Sequence, residues 1–202
     1  MALAAYIFVV RSSTPPEYVN PDALEPAELQ AIISLEALPL GFELVGEDAQ
    51  RHLWSPGSAD EVAYAATLFE DAQSNRIAVQ IIATGKGETR AGLRYARDAL
   101  CSKIWPDTDC DPQYNSFRYS EAEPAALVGE KAVASMRGSR SGALVHNYTF
   151  VRAGMLVTLS IQSADVSMYE VSDEILRELD ARTIAFAREL GVATPETNVK
   201  AR

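Results

Sequence analysis

A chain of 202 residues with 48% hydrophobic and 23% charged side chains is long enough to bury one core and too apolar for disorder. Its 18 basic and 28 acidic residues give a net charge of -10, which repels phosphate backbones and anionic membrane surfaces and argues against nucleic acid as a partner. The composition fits one soluble domain with flanking segments, folding without a cofactor.

Ala2 to Val10, ALAAYIFVV, is an apolar run of nine residues, whereas a membrane-crossing helix needs about 20. No basic leader precedes it, so it is a poor complete signal peptide. Two readings stand: the end of a membrane anchor or signal segment whose start lies outside this chain, or an edge strand. The linker that follows, with Pro15, Pro16, Pro21 and Pro26, has the character of a spacer and favours the anchor. Residues 1–26 are accordingly assigned to an anchor remnant or strand plus linker.

Pro26 suits the first position of a helix, in which Leu29, Ile32 and Ile33 share a face. Pro39 and Gly41 break that pattern, Phe42 and Leu44 open an extended segment, and His52 to Gly57 reads as a loop. Residues 59–69 carry two patterns. Ser58 and Glu61 have capping-box spacing, and Val62, Ala65, Ala66 and Phe69 fall at helical intervals. Against this, Val62, Tyr64, Ala66 and Leu68 alternate, and the polar EDAQSN leads directly into RIAVQIIA at Arg76 to Ala83, a cluster of β-branched residues. We assign Ala63 to Phe69 as a strand, paired with Arg76 to Ala83 in a hairpin.

Glu88 to Lys103 reads as a helix, with Leu93, Ala96, Leu100 and Ile104 near one face and its end charges favouring the dipole. The loop WPDTDCDPQYNS follows, then a short strand at Phe117 to Tyr119 and an extended stretch from Leu127 to Met136. His146 to Arg152 and Met155 to Gln162 form the central hairpin. In its second strand Met155, Val157, Leu159 and Ile161 alternate with Leu156, Thr158, Ser160 and Gln162, the pattern of a strand with one buried face. The link Arg152-Ala153-Gly154 fits a type I turn with Gly154 left-handed. The last element is a helix capped by Ser172, with Asp173 and Glu174 in its first turn and a stripe of Ile175, Leu176, Leu179, Thr183, Phe186 and Leu190. Gly191 ends it, and residues 192–202 are assigned to a tail. The expected fold is α+β: a single domain over 27–191 with an antiparallel β-sheet, built from hairpins, packed against α-helices.

No residue set identifies a catalytic centre, a cofactor or a metal. Cys101 and Cys110, the two cysteines, lie at a helix end and in the loop leaving it. A disulfide between them is the preferred reading, closing a loop worth roughly 2.5 to 3 kcal/mol and placing the chain outside the cytoplasm; the alternative is two unrelated thiols. Zinc lacks ligands, since only His52 and His146 remain to help. The turn from Thr84 to Thr89 lacks P-loop spacing. Arg140 stands where a nucleophile elbow needs serine. Asp107, Asp109 and Asp111 open like a calcium loop but lack its glycine and terminal glutamate. His146 is a general-base candidate for a hydrolase, with no partner identifiable from spacing.

The segment ISLEALPLGFEL at 33–44, a helix ending at Cys101, the GEKAVASM run at 129–136 and the FVRAGMLVTLSI hairpin at 150–161 together resemble, as an order of elements over about 27–190, the extracytoplasmic sensor-like domains of actinobacterial lipoproteins and PknH-type receptor kinases. That resemblance implies an antiparallel sheet in an α+β sandwich, a cleft, disulfides, and a noncatalytic ligand-sensing or accessory role outside the membrane. Its partner would be a small molecule or a protein, with tethering through the N-terminal segment. The chain departs in having one cysteine pair where the kinase sensors have two, and no lipobox cysteine near its start. The layout is also similar, more distantly, to PsbP-like accessory folds, which implies a structural or assembly role through a surface patch.

Overall fold

The computed structural model describes residues 16–35, 38–39, 41–53, 61–85, 120–122, 128–138, 144–163 and 171–194. Within them the chain forms α1 (Pro26–Ile33), β1 (Glu43–Leu53), β2 (Glu61–Glu70), β3 (Arg76–Ala83), β4 (Ser120–Ala122), β5 (Lys131–Gly138), β6 (Leu144–Arg152), β7 (Met155–Ser163) and α2 (Ser172–Glu189), with a short 3-10 turn at Pro21–Ala23. The strands make one seven-stranded sheet in the order β1-β2-β3-β7-β6-β5-β4, antiparallel at every pairing. This is the α+β architecture expected. The expected N-terminal anchor or strand, the helix over Glu88 to Lys103 and the strand at Phe117 to Tyr119 lie outside the described residues.

The centre of the sheet follows the sequence closely. β2 and β3 pair from Tyr64–Ile82 to Glu70–Arg76, so residues 59–69 resolve in favour of the strand. Their turn is fixed by Asp71, whose Oδ1 accepts the Gln73 and Asn75 N–H groups at 2.9 and 2.8 Å, while its Oδ2 accepts the Asn75 Nδ2 at 2.8 Å. Asn75 Oδ1 in turn accepts the Ser163 hydroxyl at 2.7 Å, tying this turn to the end of β7. β3 and β7 pair across the middle, with Ile77, Val79, Ile81 and Ala83 opposite Ile161, Leu159, Val157 and Met155. β6 and β7 pair from Leu144–Ser163 to Arg152–Met155, the expected hairpin.

Four local expectations are corrected. β1 runs on to Leu53, so His52 lies in a strand rather than a loop. The β6–β7 connection has both Ala153 (φ 50°) and Gly154 (φ 78°) in the left-handed region, the signature of a type I′ turn, whose twist matches the flanking strands better than type I. At the head of α2 the cap position falls on Val171, and Ser172 is the first helical residue, fully buried. Toward the other end of that helix Phe186 packs against the core and Ala187 is buried beside it, while Leu190 is exposed, so the apolar stripe ends before Leu190.

α1 and α2 lie on the same face of the sheet. Leu29, Ile32 and Ile33 of α1 and Ile175, Leu176 and Leu179 of α2 join Val79, Ile81, Val157 and Leu159 in one apolar cluster. Polar contacts fix the helices in place. Gln30 Nε2 donates to Thr67 Oγ1 at 2.6 Å, and Arg182 donates to the Ser34 carbonyl at 2.7 Å, joining α2 to the end of α1. Both flanks of the domain take part in this core: Val19 and Leu24 from the proline-bearing linker and Val192 beyond α2 are buried in it. Val19 donates its N–H to the Ala153 carbonyl, and Ala193 donates to the Pro16 carbonyl, each at 2.9 Å.

Candidate binding site

Alternation along β3 and β7 puts a second set of side chains on the opposite face: Ala78, Gln80 and Ile82 from β3, facing Ser160, Thr158 and Leu156 from β7. A strand with one buried face would leave these wet, yet Gln80 is 0%, Ser160 1% and Thr158 2% exposed. Both faces of the central sheet are therefore buried, contrary to the one-faced pattern that the alternation in β7 predicts. Among the described residues no helix packs on this second face. Its chemistry is mixed. Val62, Tyr64, Ala66, Ile82 and Leu156 make a small apolar cluster of their own, and beside it the strands contribute a polar strip.

That strip is built from cross-strand pairs. Thr158 lies opposite Thr149, and their hydroxyls are 3.1 Å apart, within hydrogen-bonding distance. One register further, Ser160 donates its hydroxyl to Asn147 Oδ1 at 2.5 Å. Gln80 lies between Ala66 on β2 and Thr158 on β7. The methyl of Ala66 offers it nothing to bond, and Thr158 is turned to Thr149. Neither the Oε1 nor the Nε2 of Gln80 has a hydrogen-bond partner among the described residues. Gln30 shows the contrast, because its Oε1 is also without a partner while its Nε2 donates to both Thr67 and Glu47. A buried amide lacking bonds at both ends is a costly group, and native interiors seldom retain one without use.

No family model, no curated protein and no solved structure matches this chain. The site must therefore be read from its own chemistry. Cys101 and Cys110 lie outside the described residues, as do Asp107, Asp109, Asp111 and Arg140. The histidines are far apart in the sheet: His52 is on β1 and His146 on β6, with β2, β3 and β7 between them. His146 projects from the helix-bearing face, where its Nδ1 meets the Tyr148 hydroxyl at 3.3 Å. Burial holds its pKa below the ordinary histidine value of 6.5, favouring the neutral ring. Among the described residues, no three His, Cys, Asp or Glu side chains gather to hold a metal ion.

A concavity of about 330 Å³ is lined by Glu17, Tyr18, Glu130, Ala193 and Thr194 where the two flanks of the domain meet. Glu130 is committed there to structure, its Oε1 accepting the Ala153 N–H of the β6–β7 turn at 2.8 Å. Sequence reasoning passed over Gln80. The available signal was a lone polar residue inside RIAVQIIA, in register with polar residues on two further strands.

Proposed function

We propose that this chain is a noncatalytic extracytoplasmic domain that binds a small molecule or a protein partner. The observation that carries the reading is Gln80, buried with neither amide atom bonded among the described residues, beside an apolar cluster and a strip of hydroxyl and amide groups. Apolar walls with a few convergent polar groups are the general make-up of small-molecule sites. The order of elements, similar to that of extracytoplasmic sensor domains, supports the same role, and a disulfide between Cys101 and Cys110 would be expected of it.

Intact-mass measurement tests both parts. Protein from exported material, alkylated without and then after reduction, gains label on Cys101 and Cys110 only after reduction. Gently purified protein under native spray carries a bound small molecule. Free thiols in exported protein contradict the compartment, and a bare chain contradicts the binding role.

One observation favours a second reading, a structural or assembly protein that acts through a surface patch. Leu44 and Val45 are 53% and 55% exposed at a bulge in the edge strand β1, an apolar edge of the kind that pairs with another chain. Self-association or partner binding lost on Leu44→Lys, with no small molecule bound to the native protein, would favour it.

A further inference from the structure

The sheet ends on two unlike edges. β4 is three residues long, whereas β1 runs for eleven, from Glu43 to Leu53, and pairs only with β2 among the described residues. Along it Glu43, Leu44, Val45, Glu47 and Ala49 are all exposed. A long edge strand is a template for another strand, and proteins blunt it with proline, lysine or a bulge. β1 has neither proline nor lysine, and its register shift lies toward one end, between Leu44 and Gly46. From Gly46 to Leu53 the pairing with β2 is unbroken, so a regular row of backbone donors and acceptors faces outward.

The charges along that row complement their own reversal. Opposite residues in an antiparallel pair share a face of the sheet. A second copy of β1 related by a two-fold axis through Ala49 sets Glu47 opposite Arg51 of that copy and Arg51 opposite its Glu47, while Asp48 and Gln50 are matched in the same way on the other face. Moving the axis to Glu47, Asp48 or Arg51 sets that charge against itself, and moving it to Gln50 leaves Glu47 and Arg51 without opposite charges. Both side chains are already held in place: Glu47 Oε1 accepts Gln30 Nε2 at 3.1 Å, and Arg51 Nη2 donates to the Leu24 and Asp22 carbonyls at 2.7 and 3.2 Å. Ala49, between them, is small enough for close approach. From this pattern we infer that two copies of the chain join edge to edge through β1, antiparallel about Ala49, in a closed two-fold dimer with one continuous sheet. The inference rests on the surface-patch reading above and names its partner.

Sedimentation of the whole chain is expected to show a monomer–dimer equilibrium with the dimer populated at about 100 µM. Glu47→Arg and Arg51→Glu each set like charges opposite one another twice and should weaken the dimer at least about tenfold. The double variant should regain most of that loss. Within one strand the two positions are about 14 Å apart, so the recovery reports contact between copies, whatever Arg51 contributes to the fold through its carbonyl bonds. Ala49→Cys tests the axis. Under mild oxidant its two copies should link at that position, as peptide mapping reads, whereas those of Val45→Cys, about 27 Å apart in this register, should not. A dimer that ignores the charge variants and links no better in Ala49→Cys than in Val45→Cys overturns the pairing through β1 and leaves a patch elsewhere on the surface. A chain that stays monomeric at that concentration overturns self-pairing, and the surface-patch reading then stands or falls separately on partner binding by Leu44→Lys.

Discussion

The two faces of this sheet bury polar groups in opposite ways. On the helix-bearing face Arg152 and Asp180, 1% and 5% exposed, form a two-pronged ion pair: Nε donates to Oδ1 at 2.7 Å and Nη2 to Oδ2 at 2.8 Å. This pair joins the end of β6 to the middle of α2, and each charge is matched. On the other face Gln80 carries no charge, and neither of its amide atoms has a hydrogen-bond partner among the described residues. The comparison separates two uses of a buried polar group. A fully bonded pair fixes where a helix docks, and its removal breaks the scaffold. An amide left without such bonds costs stability rather than fixing an element in place.

The largest effect is expected where the matched pair is broken. Asp180→Ala leaves the Arg152 guanidinium buried without a counter-charge and should cost about 3–5 kcal/mol in denaturant unfolding. A loss below about 1 kcal/mol would mean that the pair is solvated rather than buried. Next comes the turn that presents both faces. Gly154 has φ 78°, and a Cβ there would collide with the Gly85 backbone carbonyl. Gly154→Ala should therefore cost about 2 kcal/mol or more, from left-handed strain plus the displaced backbone. An unchanged midpoint would show that the Gly85 segment yields freely.

The smallest expected effect sharpens the contrast through pH. Because burial depresses the His146 pKa below 6.5, the unfolded chain binds a proton before the folded one as pH falls. Its contribution to stability is whole above 6.5 and is lost as pH drops through the folded pKa. Asp71 acts with the same sign in a lower window. Burial alone would raise its carboxyl, but hydrogen bonds from the Asn75 side chain and from the Asn75 and Gln73 backbones outweigh that and hold it below 3.8. Melting temperatures of the native chain and of His146→Gln, compared from pH 7 to pH 5, should converge toward the acid end. Parallel curves would remove His146 from the account.

Much of the architecture was legible in the residues. β-branched runs with turn residues between them gave β2, β3, β6 and β7, and the Leu29–Ile32–Ile33 stripe gave α1. What was missed depends on tertiary context. Ala153 tolerates a positive φ only because the tight link between two twisted strands demands it, so its identity did not reveal the type I′ turn. The alternation in β7 announced a dry side and a wet side, because Thr158 and Ser160 are small polar residues common at surfaces. Only the register, which lines them up with Gln80, Thr149 and Asn147, turns three separate strands into one buried polar strip. Periodicity within one strand cannot carry that information.

The most direct test replaces Gln80 with methionine, of similar length and without polar atoms, and measures the unfolding midpoint of the ligand-free chain in denaturant. If the amide is an unspent buried group, Gln80→Met should raise stability by about 1–3 kcal/mol, the desolvation penalty of a polar group left unbonded. A fall of similar size would mean that the amide is already satisfied within the folded chain, and the observation behind the binding role would be lost.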